Sequence, residues 1–416
     1  MGSIAAGVAS EMSDAARDDA PAYDRFAHWP RSRAILALLT LIALLIASAL
    51  VPLTVGNDKG GSQVASVPAF VGAQHPGKAR ARDEDLKLYD TAIARIRHGE
   101  NYYDFIVAEQ RREHYPVRPG LTVRLPTLAY LDAALGVNGE AMAPAAMAAA
   151  IALMLGTIWA WWQRLGEELP ATPQGASLRR MGTALLFLGA SLGLNRTYFV
   201  LHELWAGMLI ALAFGLHRPT QAPPAKVGTG FASELHDRQK ANRWKGTWLV
   251  AALALAIREH ALPFVLLLGA YAGWRRQWRE AAAWSMLIVA FGIGLAIHLH
   301  LVAAQTLPSD PTGPSWLALR GLGGWLSNVV LSSNLRFLPH YVAGPVVVLM
   351  VLGWAGWKSP AGAFGALFYL GYGFMFMVAG RNDNFYWGAV IAPAMFIGLA
   401  FAPMALKSLV KVTSAR

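Results

Sequence analysis

The chain has 416 residues, 55% of them hydrophobic and only 15% charged, with 36 Lys and Arg against 25 Asp and Glu for a net charge of +11. Long apolar runs with so little charge exclude an ordinary soluble domain and predict an all-α polytopic membrane protein, whose basic excess marks cytoplasmic loops rather than nucleic-acid binding. There is no cysteine, which excludes disulfides and thiolate chemistry.

A tail over residues 1–33, carrying Arg25, Arg31 and Arg33, precedes a first span at 34–53 that reads as an uncleaved anchor. An extracytoplasmic loop over 54–138 follows, then a bundle over 139–406 and a short basic tail over 407–416. Spans in the bundle are expected at Gly139 to Trp162, Met181 to Asn195, Tyr198 to Leu216, Gly246 to Ile257, Leu262 to Gly273, Ala281 to Ala304, Tyr341 to Trp357, Gly362 to Ala379 and Phe385 to Leu406. With the first, that makes about ten, several of them shorter than the roughly 20 residues a bilayer calls for. The pair flanking Arg258 is short enough to suggest either a kink at Pro263 or span boundaries that lie elsewhere.

The loop charges agree with this count. Arg164, Arg179 and Arg180, then the 217–245 linker with Arg218, Lys226, Arg238, Lys240, Arg243 and Lys245, then Arg275, Arg276 and Arg279, then Lys358 and the last tail all fall on the side of the N-terminal tail. Lys and Arg collect on the cytoplasmic side, so both termini are expected there.

The first outer loop is too long for a plain connector. Val55 to Arg82 is rich in Gly, Ser, Pro and Ala and reads as irregular. Asp83 to His98 reads as an amphipathic helix, with Leu86, Tyr89, Ile93 and Ile96 on one face and Gly99 placed to end it. Pro126 to Leu135 is apolar but too short to span. Such helices are expected to lie along the bilayer surface and roof a cavity against the bundle.

Charged residues otherwise interrupt the apolar sequence where spans leave the membrane on the side away from the cytoplasm: Arg196, His202, Glu203, Arg258, Glu259, His260, Arg336, His340, Arg381 and Asp383. Ionisable groups at membrane depth are costly and mark functional sites. Bland readings stand beside this one. Acids at 83–85 suit any helix N-terminus, the 258–260 triad can pair within itself, His202 and Glu203 can cap a helix, and Tyr386 and Trp387 suit an interfacial belt.

Several segments of the first loop resemble a known family. Asp85-Leu-Lys-Leu-Tyr89, Gly99-Glu-Asn-Tyr-Tyr103, Tyr115-Pro-Val-Arg-Pro119 and Val123-Arg-Leu-Pro126 are similar to the first-loop pattern of the GT-C glycosyltransferases, which include aminoarabinose, protein O-mannosyl and oligosaccharyl transferases. The resemblance implies transfer of a sugar from a polyprenyl-phosphate donor to a glycan, lipid or protein acceptor, usually with inversion. It implies a multi-pass protein of a bacterial inner membrane with its site on the periplasmic side. Asp85 becomes the expected general base, with Glu84 the nearest substitute and Asp83 beside them. Arg258, His260, Arg381 and Arg196 are expected near the donor phosphate, where preorganised cations stabilise a departing phosphate. Tyr89, Tyr102, Tyr103, His202, Glu203, Asn382 and Asp383 are expected to contact substrate. The sequence shows no second acid pair of the metal-dependent kind, so a divalent cation has no clear ligand set and no metal site is assigned.

Two other readings compete: a lipid or polysaccharide transporter, and a ligase of the O-antigen type. The charges sit at span ends rather than the midplane and no inverted repeat is evident, which disfavours transport. A long first outer loop, against a late one carrying only Arg320, Arg336 and His340, disfavours the ligase. His298 and His300, two apart, point to different helix faces and form no metal motif. Gly321-Leu-Gly-Gly324 follows no strand, and a dinucleotide reading fails.

Overall fold

The computed structural model describes residues 21–56, 62–64, 84–139, 144–195, 198–218 and 244–414. In chain order these form α1 (Arg31–Leu50), β1 (Thr54–Gly56), β2 (Ser62–Val64), α2 (Glu84–Arg97), α3 (Tyr102–Arg112), α4 (Thr127–Ala134), α5 (Pro144–Glu168), α6 (Pro173–Ala190), α7 (His202–Leu216), α8 (Trp244–Ile257), α9 (Leu262–Trp274), α10 (Trp278–Ala303), α11 (Gly321–Leu331), α12 (His340–Gly356), α13 (Pro360–Val378), α14 (Ala392–Met395) and α15 (Gly398–Ser414). The protein is an α-helical polytopic membrane protein with, among the described residues, one small antiparallel hairpin, β1 to β2. Among the described residues, α1, α5, α10, α13 and the α14 to α15 stretch are long and apolar enough to cross a membrane, and α7, α8, α11 and α12 are shorter apolar helices.

The chain divides into two compact units. The first comprises residues 1–72, 162–189 and 317–416. Its centre is α12, which packs on α1, α13 and α15. Gly353 and Gly398 make that last contact possible: a Cβ on Gly353 would sit 1.7 Å from the Gly398 carbonyl oxygen, so only hydrogen fits where the two backbones touch. The tail before α1 is also tied down. Asp24, 1% exposed, caps the backbone N–H of Phe26 at 3.0 Å and accepts from Ser408, while Lys358 N–H donates to the Tyr23 carbonyl.

The second unit comprises residues 73–161 and 190–316. Here α8 packs on α7, α9 on α10, and α2 on both α3 and α4. Its core joins Leu86, Ile93, Phe105, Ile106, Val117 and Phe199. Burial of Leu86 and Ile93, with Tyr89 and Ile96 packed against that core, is the amphipathic face expected from the sequence.

Several boundaries differ from the sequence reading. Helix α5 runs on through Arg164 because that guanidinium, 1% exposed, donates to Glu168 at 2.8 Å one turn later, and the paired charge no longer has to end the helix. Pro263 opens α9 and does not kink a helix. Tyr102–Arg112 and Gly321–Leu331 are helices where none was expected. The last span is broken: residues 382–390 form 3₁₀ turns, and the helix proper starts only at Ala392, beside Pro393. Trp387 is 7% exposed and buried in the first unit, so it is not an interfacial anchor.

Candidate functional site

The second unit gathers most of the expected residues. The turn between α8 and α9 is short because Leu262 and Pro263 begin a helix immediately after the triad at 258–260. Arg258 therefore sits against the end of α8 with only 1% exposure. Its guanidinium is divided between two carboxylates: Nη1 donates to Glu259 at 2.5 Å, and Nη2 lies 2.7 Å from Glu203 on α7. The second approach is an ion pair held by charge, its alignment outside that of a hydrogen bond. His260 Nδ1 stands 3.2 Å from Glu259. Burial alone would raise the Glu259 carboxyl, but the Arg258 charge, the His260 contact and the Arg124 charge outweigh it and hold Glu259 well below the usual range. Burial and the Arg258 charge push His260 down, which keeps its ring neutral.

Helix-capping does not explain His202 and Glu203. The residue before α7 is Leu201, and no side chain caps that end. Glu203 is fully buried, His202 is 3% exposed, and both His202 ring nitrogens lack a hydrogen-bond partner among the described residues. The His202 ring lies 5.2 Å from that of Tyr89 on α2.

Arg124 is the residue that the sequence reading missed. The segment before α4 is held at three atoms. Tyr102 Oη donates to the Arg124 carbonyl at 2.8 Å, His298 Nε2 lies 3.1 Å from the Val123 carbonyl, and Arg124 Nε donates to Tyr89 Oη at 3.3 Å. A carbonyl only accepts, so His298 carries its proton on Nε2, and Nδ1 accepts from Tyr103 Oη at 3.0 Å. Burial pushes the Tyr102 phenol up, which keeps it a donor. The Arg124 charge acts on Glu203 and Glu259 together, placing it with the Arg258 group. Its signal was available: an Arg between apolar residues in the Val123 to Pro126 motif satisfies the same criterion that selected Arg258.

A second acid in the same unit was also unexpected. Asp132 on α4 is 1% exposed, and neither carboxyl oxygen finds a donor among the described residues. Burial, with the Asp90 charge added, pushes it up to about 8.

Glu84 and Asp85 occupy the first turn of α2, one turn before Tyr89, as expected; their side chains lie outside the described residues, as do Asp83 and Arg196. Arg381, Asn382 and Asp383 belong to the first unit. There Arg381 pairs with Asp383 at 3.2 Å, and Asn382 Oδ1 accepts from Thr54 Oγ1 and Arg320 Nε, each at 3.2 Å. Among the described residues no group of three or more His, Asp or Glu is arranged to hold a metal ion.

No protein-family profile and no curated relative matches the chain. Two solved structures are similar to it. One is ArnT from Cupriavidus metallidurans in the apo state, with 13% identity and a TM-score of 0.45 over 89% of this chain and 59% of that one. The other is the same protein bound to undecaprenyl phosphate, with 13% identity and a TM-score of 0.45 over 91% and 62%. The chain thus spans about three fifths of the length of the protein it resembles. At this level of likeness neither family nor activity is assigned.

Proposed function

We propose that this protein is a membrane glycosyltransferase of the GT-C kind, which moves a sugar from a polyprenyl-phosphate donor to an envelope glycan, lipid or protein acceptor on the periplasmic face. The observation that carries this reading is the fixed pair of guanidinium groups in the second unit. Arg258 is locked by Glu203 and Glu259, and Arg124 is held by Tyr102 and Tyr89. Cations placed in advance beside a leaving phosphate stabilise the transition state more than the ground state, and they need no reorganisation during reaction. The first-loop motifs support the same reading.

In this proposal the acceptor hydroxyl attacks the anomeric carbon, its proton passes to Asp85, and the bond from that carbon to the phosphate oxygen breaks with its electrons on the polyprenyl phosphate. A single displacement inverts the anomeric centre. Asp85 lies four residues before Tyr89 on α2, a spacing that puts the two on one helix face. Arg124, Arg258 and Arg196 supply positive charge, and neutral His260 supplies a hydrogen bond. Tyr89 and His202 serve the sugar or the acceptor, while both termini lie in the cytoplasm.

The test is mass spectrometry of lipids and envelope glycans from cells lacking the protein, complemented with wild type or with Asp85→Asn. Loss of one sugar from a glycan, with build-up of its polyprenyl-phosphate form, is expected without the protein and with Asp85→Asn. Unchanged glycans and lipids would remove the transferase reading in favour of transport.

A further inference from the structure

The first unit holds a second cationic group that the proposed reaction does not use. Residues 317–320 run beside the end of α13, with Ala318 N–H donating to the Val378 carbonyl at 3.2 Å and Arg320 N–H to that of Met377 at 2.7 Å. Arg320 is thereby fixed at the start of α11. Its Nε donates to Asn382 Oδ1 at 3.2 Å and its Nη1 to Asn328 Oδ1 at 3.0 Å. Both partners are neutral amides.

The remaining guanidinium nitrogen, Nη2, is out of contact with solvent and has no acceptor among the described residues. Among the described residues no carboxylate forms an ion pair with Arg320; the acid whose charge acts on it is Asp383, already engaged with Arg381. Asn328 is fully buried, and its Nδ2, on the amide that meets Arg320, also lacks an acceptor. One turn earlier on α11, the indole N–H of Trp325 is in the same condition at 5% exposure. Three unsatisfied donors and no unsatisfied anion is an unusual local balance. A buried donor is costly when unpaired, and a buried charge costs more. Water satisfies donors but does not neutralise the charge.

The backbone beside Arg320 is constrained as well. Gly380 has a φ of +92°, and a Cβ there would lie 3.4 Å from Arg320 Nη1 and 3.1 Å from the Trp387 ring. Any other residue would be strained at that φ and would crowd the Trp387 ring.

We propose that Arg320 and Asn328 form a second anion-binding site, in which one phosphate oxygen accepts from Arg320 Nη2 and Asn328 Nδ2. The ligand class is a phosphate group, either free or on a lipid headgroup. This site stands apart from the transferase reading, since it concerns residues of the first unit alone and its test needs no turnover.

The experiment is thermal unfolding of the full chain in neutral maltoside micelles, followed by tryptophan fluorescence. One arm adds inorganic phosphate against chloride of matched ionic strength; the other adds phosphatidic acid without free phosphate. A specific ligand raises the wild-type midpoint by mass action, here by about 2–4 °C or more. Two variants report on the site. Asn328→Asp places a carboxylate against Arg320, and it should match or exceed the wild-type midpoint in chloride and ignore both additives. Arg320→Gln keeps amide donors without the charge, and it should also ignore them; it carries the test if Asn328→Asp fails to fold. A wild-type rise with inorganic phosphate identifies a soluble ligand, and a rise with phosphatidic acid alone identifies a lipid headgroup. No wild-type rise in either arm, or an equal rise in the folded variants, overturns the proposal.

Discussion

Glu203 and Arg258 meet at 2.7 Å, and each side chain is 1% exposed. Their residues are 55 positions apart in sequence, so this buried pair ties α7 to the end of α8. Removing Arg258 strands the Glu203 and Glu259 charges together, whereas removing Glu203 leaves Arg258 paired with Glu259. Arg258→Met should destabilise the protein by about 3–5 kcal/mol, read as a lower unfolding midpoint in micelles, whereas Arg258→Met combined with Glu203→Leu and Glu259→Gln should recover much of the loss. Equal loss in the single and triple variants would show that the group contributes by packing alone.

Arg124 depends on its tethers, and its chemistry should respond to them separately. Tyr102→Phe deletes the hydrogen bond to the Arg124 carbonyl and should cost the fold only about 1 kcal/mol. If Arg124 faces the donor phosphate, the same variant should lower the transfer rate at least several-fold with little change in donor KM. Arg124→Ala should raise donor KM as well. A Tyr102→Phe enzyme with wild-type turnover would separate Arg124 from the reaction.

Asp132 makes the fold sensitive to alkali. Its pKa rises from the usual 3.8 to about 8 on folding, through burial and then the Asp90 charge. Between those values the native chain holds a proton that the unfolded chain has released, so this contribution to stability is full below about pH 4 and is lost as pH rises toward 8. Asp132→Asn keeps the neutral shape and should flatten this part of the profile. The check is the unfolding midpoint of both proteins between pH 4.5 and pH 8.5, a range chosen to span roughly that window; parallel curves would mean that Asp132 ionises freely in the folded state.

The opposite sign is expected at Asp310. Its carboxylate accepts from Arg111 Nε and Nη2, at 2.5 and 2.9 Å, and from the Leu307 N–H at 2.7 Å. The Arg111 hydrogen bond first, then that backbone contact, holds it down at about 2. This contribution is present above the usual 3.8 and is lost as pH falls toward 2. Arg111→Gln should reduce that acid-limb loss and lower stability at neutral pH, as measured by hydrogen exchange of residues 305–313.

Much of the second unit was legible because local signals agree there. Two apolar runs bounded by a charged triad gave α8 and α9 nearly to the residue, and period plus a terminal glycine gave α2. Helix α11 was not legible: Gly324 through Leu331 are all buried, so no polar face marks a period, and the helix is too short to count as a span. The pairing of Glu203 with Arg258 has no local signature because packing, not spacing, brings them together. The break before α15 could have been read from Pro393. Arg124 was passed over only because its motif was taken as a whole and its cation was not weighed alone.

Helix α10 presents Met286, Val289, Ile293 and Ile297 outward, all more than half exposed, while His298 on the same helix grips the Val123 carbonyl and the Tyr103 hydroxyl. A lipid-contacting helix adjusts its tilt to the hydrocarbon thickness around it. The imidazole therefore joins an outward-facing helix directly to the segment of chain that carries Arg124.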